Sequence, residues 1–317
     1  MIDLTISIIT ENNKKLILDC LGSIYETTEH LKFEIYVVVN PSSDGSEAAI
    51  KEEFPEVKLI INQKKMGFTH NHNMVIKRSA SRHILILNDD TVALDEAIDK
   101  MVNFMDAHPQ IGILGCEILN PDGSLQRSCG KGLNHKFEYF KAGMLESFLP
   151  LVRHRHFMNT REVSWLAGAC LLVRAQAIAV VGPFDENIIA YYEDGDWCYR
   201  MIQAGWKVVF YPQPKIIHYM GQTRKRNLEN DTLIIYQSRF YFFAKHYSAF
   251  TFHFVRFLTM LEVITRYMKT LMSLYSSRGE RLQKQELLCA YYQVSRLAWN
   301  SWRMGHECKK AQTTHEQ

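Results

Sequence analysis

The chain has 317 residues, of which 47% are hydrophobic and 22% charged, values typical of a soluble globular protein with a substantial core. Seven cysteines are scattered without CxxC or Cys/His zinc spacing, which argues against a disulfide framework. No signal peptide and no uncharged apolar stretch of about 18 residues is visible, so we expect a cytoplasmic protein without a transmembrane helix. The formal net charge of +3 gives no reason to expect a nucleic-acid partner.

The first hundred residues alternate β-branched runs with segments of helical spacing. The predicted strands are Leu4–Ile9, Glu34–Val39, Val57–Ile61 and His83–Leu87, and the predicted helices are Lys14–Tyr25, Ser46–Phe54 and Phe68–Arg78. This alternation predicts an α/β fold with a mainly parallel sheet flanked by helices on both faces. Ligands bind such sheets at the carboxyl ends of the strands, so chemistry is expected in the segments that follow them.

The next part of the chain is less regular. The predicted elements are a helix over Leu94–His108, a strand over Ile111–Gly115 and a hairpin over Glu117–Cys129. Ordered structure is expected to resume over Val163–Arg174, followed by a helix over Glu193–Ala204 and strands over Lys207–Tyr211 and Lys215–His218. Residues 130–161 are weakly patterned and suit a lid or an acceptor loop.

The C-terminal third is basic and helical. From Arg224 onward there are 15 Lys/Arg against 7 Asp/Glu, whereas the first 223 residues hold 22 against 27. Helices are predicted over Leu233–Lys245, over Phe250–Tyr275 and from about Gln283 onward. The middle helix carries one apolar stripe, which suits packing on the catalytic domain or on a partner subunit, as in a homodimer. Basic residues between the apolar ones also suit peripheral contact with a membrane.

The end of the fourth predicted strand is the sharpest local feature. A hydrophobic run stops at Asn88-Asp89-Asp90, which places carboxylates at the ligand-binding edge of the sheet. Hard cations such as Mg²⁺ or Mn²⁺ take oxygen ligands of this kind and often share them with substrate phosphates. The alternative is a turn followed by an N-cap for the helix at Leu94.

The segments after the second and third strands have two interpretations each. Asn40–Ser46 could hold a nucleotide base and ribose, or form a turn capped by Ser43 or Asp44. Gly67 could let the backbone approach an anion at a helix start, or form an ordinary turn. His72 on the following helix is better explained by packing or solvation.

Three carboxylates open the helix at Glu193: Glu193, Asp194 and Asp196. Acids are favoured at a helix N-terminus, so capping alone could explain them. The functional interpretation is a general base that takes the proton of an acceptor hydroxyl. His218 could complete a metal shell or contact a phosphate, although a lone histidine is more often structural.

Taken together, these segments resemble the family 2 glycosyltransferases, which have the GT-A fold, over about residues 4–223. The segments that carry the resemblance are Thr10-Glu11-Asn12, Asn40–Ser46, Gly67-Phe68 with Asn71-His72-Asn73, Leu87–Thr91, Trp165–Arg174, and Gly182–Glu186 leading to Glu193–Asp196. Ala107-His108-Pro109 and Leu119–Ser124 are similar to the subgroup that includes rhamnosyltransferases. The implied organisation is a GT-A-like catalytic domain over 1–223, with a nucleotide-sugar half to about 115 and an acceptor half from about 116, and a basic helical region over 224–317.

The resemblance implies a role for each matching position. Asp194 would be the catalytic base, and Asp90 with His218 would hold the metal that bridges the donor diphosphate. The nucleotide site would be lined by Thr10, Glu11, Asn12, Asn40, Asp44, Gly67, Asn88 and Asp89. The acceptor would contact Trp165, Gly168, Glu193 and Asp196. A single displacement with one base implies inversion at the anomeric carbon.

Two positions depart from the family pattern. Val39 stands where the family usually has an aspartate that contacts the base or ribose, and Glu11 replaces a residue that is commonly aromatic. We therefore expect the base contact to be rearranged, with Glu11 as its candidate, and Val39→Asp to change nucleotide preference.

The sequence thus predicts a cytoplasmic, inverting, metal-dependent glycosyltransferase, with peripheral contact at the inner face of the cell membrane as one of the two interpretations of its C-terminal helices. The favoured donor is dTDP-rhamnose, and the acceptor is a saccharide or lipid-linked saccharide in cell-surface polysaccharide synthesis. One alternative is a non-catalytic sugar-nucleotide-binding or assembly protein, against which the presence of both Asp90 and Asp194 argues. The other is a Mg²⁺-dependent phosphohydrolase, for which no second metal site is apparent.

Overall fold

The computed structural model describes residues 2–130, 159–188, 190–219, 228–274 and 281–301. The chain divides into two compact units. The first comprises Met1–Asn187 and Glu193–Met220, and the second comprises Ile188–Tyr192 and Gly221–Gln317.

The first unit is built on a mixed sheet. Its strands are β1 (Leu4–Thr10), β2 (Phe33–Val39), β3 (Lys58–Ile61), β4 (His83–Asn88), β5 (Thr91–Leu94), β6 (Ile111–Leu119), β7 (Leu125–Gln126), β9 (Arg161–Glu162), β11 (Cys170–Arg174) and β12 (Lys207–His218), while β8 (Cys129–Gly130) pairs separately with β10 (Trp165–Leu166). The strand order is β3-β2-β1-β4-β11-β6-β12-β5, with β7 beside β6 and β9 beside β12. β3, β2, β1, β4, β6 and β12 run in one direction, so the predicted α/β class with a mixed, mainly parallel sheet is confirmed.

Six helices flank this sheet among the described residues. They are α1 (Lys14–Thr27), α2 (Ser46–Glu53), α3 (Phe68–Ile76), α4 (Ala97–Ala107), α5 (Ala175–Val181) and α6 (Glu193–Gln203). β4 is buried on both sides because successive side chains alternate between two cores. Leu85 and Leu87 belong to one buried cluster, and Ile84 and Ile86 to the other.

The largest difference from the sequence prediction follows Asp90. The helix predicted from Leu94 begins only at Ala97, and Thr91–Leu94 instead forms β5, antiparallel to the end of β12. The interpretation of Asn88–Asp90 as a turn that caps a helix at Leu94 is therefore wrong. The register pairs Thr91 with His218, and no local pattern in so short a strand could have revealed this.

The other predicted elements differ less from those in the structure. The predicted hairpin is confirmed, because Ile118 pairs with Gln126 and Gly123 takes a left-handed φ of 79° in the turn. The two strands predicted over Lys207–Tyr211 and Lys215–His218 are one strand with an irregular register between Tyr211 and Lys215. The helix α5 was not predicted. Most of the predicted lid over 130–161 lies outside the described residues.

The second unit contains three helices among the described residues: α7 (Leu228–His246), α8 (Ala249–Leu274) and α9 (Arg281–Asn300). Tyr236 of α7, Val263 of α8 and Val294 of α9 share one buried cluster. The opposite face of α8 carries large apolar side chains that are 46–82% exposed: Phe250, Phe254, Phe257, Leu261, Ile264, Met268 and Met272. In the described ranges, every helix is too short or too polar to traverse a bilayer.

Candidate functional site

Asp90 and His218 form the centre of the candidate metal site. They are 128 positions apart in the chain, but the pairing of β5 with β12 places His218 Nε2 3.1 Å from Asp90 Oδ1. Asn88 Nδ2 lies 3.3 Å from the same ring nitrogen. The backbone N–H of Tyr219 also donates to the carbonyl of Asp90, so the two segments are joined on both sides of the carboxylate.

Gln126 fixes the tautomer and the orientation of the His218 ring. Gln126 Nε2 donates to Asn120 Oδ1 and to the His218 carbonyl, which leaves Gln126 Oε1 facing His218 Nδ1 at 2.8 Å. An amide oxygen only accepts, so Nδ1 must carry a proton and the neutral ring keeps its lone pair on Nε2. In the neutral ring the Nε2 lone pair faces Asp90 Oδ1 at 3.1 Å, so either a proton on Nε2 or a bound cation joins the two atoms.

The donor set fits a divalent metal with open positions. A carboxylate and an imidazole are suitable ligands, and an orienting amide behind the imidazole is common at metal sites. Across the described part of the chain, no cluster of three or more His, Cys, Asp or Glu side chains could hold a metal ion by itself. Further ligands would therefore have to come from phosphate and water.

Asp89 points to the other side of the turn. It is buried, and Asn13 Nδ2 donates to its Oδ2 at 3.1 Å. Burial raises the pKa of Asp89 to about 7, although the nearby Thr10 hydroxyl and the Asn13 amide oppose the rise. These contacts join the turn after β4 to the segment after β1.

The loops after β1 and β2 hold each other through short polar side chains. Asn12, at a left-handed φ of 52°, accepts a hydrogen bond from the Ser43 N–H at 2.8 Å and donates its own N–H to Ser42 Oγ at 3.0 Å. Asp44 accepts from the N–H groups of Lys14 at 2.7 Å and Ser46 at 3.1 Å. Both carboxylate oxygens of Asp44 therefore tie together the starts of α1 and α2. These contacts suit the alternative interpretation, in which Asp44 caps the turn, better than the predicted contact with nucleotide.

Asn40 organises the loop that leads to Gly67. Its Oδ1 accepts from the N–H of Met66 at 3.1 Å and from Asn62 Nδ2 at 3.0 Å. Asn62 Nδ2 also donates to Asn71 Oδ1 at 2.8 Å. Gly67 is the N-cap of α3 with φ −71°, so its conformation does not require glycine. The sequence pattern indicated Asn40 and Asn71, but not that Asn62 connects them.

Val39 and Glu11 occupy different environments. Val39 is 2% exposed within the apolar core, so its side chain is not available to a base, and a carboxylate there would be buried. Val39→Asp would place a charge in this core, and its expected effect on nucleotide preference stays a prediction. Glu11 is partly exposed, and its Oε1 accepts from Lys65 Nζ at 2.8 Å.

Asp194 lies in the first turn of α6. Its Oδ2 accepts from the Gly168 N–H at 3.1 Å, and its Oδ1 from the Gly195 N–H at 2.6 Å. The carbonyl of the next residue, Ala169, accepts from the Asn88 N–H at 3.0 Å. The dipeptide Gly168-Ala169 thus connects the carboxylate of Asp194 to the end of β4.

Glu193 and Asp194 form an acidic pair. Glu193 Oε2 is fully enclosed and has no hydrogen-bond partner among the described residues. Burial raises the pKa of Glu193 to about 8, with the negative charge of Asp194 as the second cause. Burial also raises the pKa of Asp194 to about 6, although the N–H groups of Gly195 and Gly168 oppose the rise. Near neutral pH the coupled pair holds one proton, and the two N–H donors to Asp194 favour Glu193 as the residue that carries it.

Asp196 has a different environment. It is 1% exposed, and its Oδ2 accepts from Arg200 Nε at 2.7 Å. Arg200 also donates to the carbonyls of Val181 and Pro183, so the pair fastens α6 to the end of α5. These contacts suit a structural role better than the predicted contact with acceptor.

Trp165 is partly exposed in β10. The guanidinium of Arg127 lies 5.5 Å from the centre of its ring. Gly130 faces the indole so closely that an added Cβ would lie 2.5 Å from Nε1. This small sheet supplies an aromatic surface with a cation beside it, a combination that suits a sugar or an anionic group.

His72 is structural, as the sequence indicated. It is buried, and its Nδ1 lies 2.7 Å from Ser7 Oγ. Burial lowers the pKa of His72 to about 3, so the ring stays neutral. Asn73 on the same helix binds both backbone groups of Phe184 and thereby holds the loop after α5.

Comparison with known proteins agrees with the family resemblance seen in the sequence. Residues 3–232 match the family model described as glycosyltransferase like family 2. An N-acetylglucosaminyl-diphospho-decaprenol L-rhamnosyltransferase of Mycobacterium tuberculosis is 27% identical over 249 residues, which cover 72% of this chain and 80% of that protein. The rhamnosyltransferase WbbL of Escherichia coli is 23% identical over 160 residues, covering 48% of this chain and 61% of the relative.

A solved structure extends the comparison to the fold. The mannosyltransferase PcManGT from Pyrobaculum calidifontis, in complex with GDP-Man and Mn²⁺, superposes with a TM-score of 0.51 at 15% identity. The match covers 99% of this chain and 77% of that one. It indicates the GT-A fold with a C-terminal helical region, as the sequence predicted.

Proposed function

This chain belongs to glycosyltransferase family 2, and we propose that it is an inverting, metal-dependent enzyme that transfers rhamnose from dTDP-rhamnose. The observation that carries the proposal is the link through Gly168-Ala169. Gly168 binds the carboxylate of Asp194, and Ala169 binds the backbone N–H of Asn88, two residues before Asp90. Neighbouring residues thus hold the candidate base and the end of the strand that leads to the candidate metal ligand.

Asp194 would act as the general base. Its carboxylate is ionised near neutral pH and oriented by two N–H groups, so it can accept the proton of an acceptor hydroxyl. The hydroxyl oxygen then forms a bond with the anomeric carbon as the bond from that carbon to the diphosphate oxygen breaks. The nucleoside diphosphate leaves with the electron pair, and one displacement inverts the anomeric configuration.

Asp90 and His218 would hold the divalent metal. When bound, the ion would neutralise charge that develops on the leaving diphosphate. The chain itself orients the two ligands, since Gln126 fixes the tautomer of His218 and β5 fixes the position of Asp90. A histidine ligand favours Mn²⁺ over Mg²⁺, because Mg²⁺ strongly prefers oxygen ligands.

The nucleotide would bind between the loops after β1, β2 and β3. Thr10, Asn12, Asn40 and Gly67 belong to these loops, which are held by the amide contacts of Asn12 and Asn40. Glu11 with Lys65 is the ionic pair at these loops that could contact the base. Asn88 and Asp89 would support the site from the end of β4.

The choice of donor and acceptor is supported by the relatives. The two similar curated proteins are named as rhamnosyltransferases, and the mycobacterial one is named for a diphospho-decaprenol acceptor. We extend this to a saccharide or lipid-linked saccharide acceptor for this chain, with Trp165, Gly168 and Glu193 on the acceptor side. Residues 1–223 would form the catalytic domain, and residues 224–317 a helical region of its own.

The helix α8 would contact the inner face of the cell membrane. Its seven exposed apolar side chains recur at spacings of three and four residues, which form one face of a helix. Arg256, Arg266 and Lys269 are the basic residues of this helix, whereas its one acid, Glu262, bonds to Arg239 and Arg266. A net positive charge beside an apolar face suits anionic headgroups better than a second copy of the same helix.

Following nucleoside diphosphate release with several nucleotide sugars, Mn²⁺ and a lipid-linked saccharide would test the proposal. We expect turnover that requires acceptor and is fastest with dTDP-rhamnose. Donor binding without turnover in any combination would instead support the non-catalytic sugar-nucleotide-binding alternative. Release of inorganic phosphate without acceptor would support the phosphohydrolase.

A further inference from the structure

The segment just before Glu193 has an unusual backbone. Tyr191 has φ 63° and Tyr192 has φ 68°, so two consecutive residues with a Cβ occupy the left-handed region. This region is unfavourable for such residues, and bulky side chains enter it only when their surroundings hold them there. The chain passes directly from Tyr192 into the first residue of α6.

Three residues on one turn of α7 hold this segment. Arg239 Nε donates a hydrogen bond of 3.1 Å to the Tyr192 hydroxyl oxygen. Ser238 Oγ donates to the carbonyl of Ala190 at 2.8 Å. The ring of Phe242 lies 5.7 Å from that of Tyr192. The backbone and the side chain of the segment are thus both fixed by the same short stretch of helix.

Arg239 is itself held rigidly. Its Nη1 donates to Glu262 Oε2 at 2.8 Å, and its guanidinium lies 4.7 Å from the centre of the Tyr236 ring. Tyr236 and Arg266 donate to the other oxygen of Glu262, at 3.3 and 2.9 Å. The Arg239 side chain is only 16% exposed, so the cation has little freedom to leave Tyr192.

We propose that Arg239 and Tyr192 are positioning residues for the general base. The hydrogen bond between them keeps Tyr191 and Tyr192 in the left-handed conformation from which α6 begins. This conformation sets the direction in which Asp194, two residues later, presents its carboxylate to the Gly168 N–H. The inference rests on the proposed role of Asp194, and it gives the C-terminal helices a part in catalysis through the continuous chain.

Tyr192→Phe in the full-length protein removes the hydroxyl and keeps the ring against Phe242. We expect kcat to fall about tenfold, because a small misplacement of a catalytic group has effects of this size or larger. The Kd for dTDP in the presence of Mn²⁺ should stay within about twofold, since loss of one hydrogen bond by the base segment does not alter donor contacts. A merely structural role would not separate kcat from donor affinity in this way.

Tyr267→Phe is the matched control. It is the same chemical change on α8, at a partly buried position packed against the core of the three helices, and Tyr267 lies outside the network of Arg239, Glu262, Tyr236 and Arg266 described above. We expect kcat to stay within about twofold. Arg239→Lys provides a second variant that keeps the charge but not the guanidinium geometry, and it should resemble Tyr192→Phe.

An unchanged kcat for Tyr192→Phe, with kcat expressed per folded active site, overturns the inference. Equal losses in Tyr192→Phe and Tyr267→Phe overturn it as well, because they would indicate general loosening of the helices. Failure of the proposed function has a different signature, namely full turnover by Asp194→Asn. If Asp194→Asn is inactive and Tyr192→Phe is fully active, only the positioning role is wrong.

Discussion

The backbone N–H of Gly168 donates a hydrogen bond of 3.1 Å to Asp194 Oδ2. A Cβ added at Gly168 would lie 3.6 Å from Phe68 and 3.8 Å from Asp194, in ordinary contact. The essential contribution of this position is therefore its N–H group, and Gly168→Ala should retain both the bond and most of the activity.

Asp194→Asn should lower kcat by about 10²–10⁴-fold, because an amide cannot take the acceptor proton. Binding of dTDP with Mn²⁺, measured by calorimetry, should be unchanged, since the base does not contact the nucleotide in the proposed mechanism. Asp19→Asn, at a half-exposed position on α1, is the control and should be as active as the wild type. Substantial turnover by Asp194→Asn would contradict the assignment of the base.

The rate of transfer should fall as the pH drops through about 6, the pKa of Asp194. Glu193→Gln should leave this acidic limb nearly in place, because Glu193 already carries its proton when Asp194 titrates. If the acidic limb of the pH–rate profile shifts to lower pH by a full unit in Glu193→Gln, then Glu193 is ionised beside Asp194 in the wild type.

Glu193→Gln should also change the pH dependence of stability. The folded-state pKa of Glu193, about 8, lies above its ordinary value of 4.5, so the folded protein binds the extra proton. Stability from this group is present below pH 4.5 and is lost as the pH rises through 8. The Tm of Glu193→Gln, measured relative to wild type, should therefore be higher at pH 8.5 than at pH 5.5. An equal Tm difference at both values would contradict the raised pKa.

His218→Ala should weaken Mn²⁺ binding in the presence of dTDP by at least about tenfold, and Gln126→Leu should weaken it by a smaller factor through the loss of ring orientation. Electron paramagnetic resonance of free Mn²⁺ provides the measurement. His30→Ala, at an exposed position, is the control. EDTA should abolish turnover, and Mn²⁺ should restore it better than Mg²⁺. Full activity in EDTA would contradict metal dependence.

These sites differ in how far sequence could predict them. The carboxylates after β4 and at the start of α6 were predictable, since each follows a strong local pattern of strand or helix. The pairing of Asp90 with His218 depends on a four-residue strand, and strands so short give no clear periodicity. Asp44 and Asp196 have the residue type of a binding site, but their hydrogen bonds go to backbone groups and to Arg200. Only the contacts distinguish a carboxylate that binds a ligand from one that fastens two elements.

Glu11→Gln should change the ratio of affinities for dTDP, UDP and GDP, because it removes the charge that pairs with Lys65 beside the proposed base site. Lys65→Met should change the same ratio by freeing Glu11. Lys64→Met removes an equal charge from the neighbouring position and is the matched control. Uniform weakening of all three nucleotides by Glu11→Gln would indicate that the pair supports the loop without reading the base.

The apolar face of α8 can be tested without truncation, which would also remove the residues that hold Tyr192. Phe254→Ser with Phe257→Ser should lower binding to vesicles that contain anionic lipid by roughly a hundredfold, since each buried phenylalanine contributes about 1.5 kcal/mol or more. Val180→Ser, at an exposed position on α5, is the control. Sedimentation with vesicles measures the effect, and added salt should weaken binding if Arg256, Arg266 and Lys269 contact headgroups. If the wild-type protein does not bind vesicles but dimerises through these phenylalanines, the apolar face belongs to a subunit interface. A membrane and a partner subunit cannot cover the same face at once.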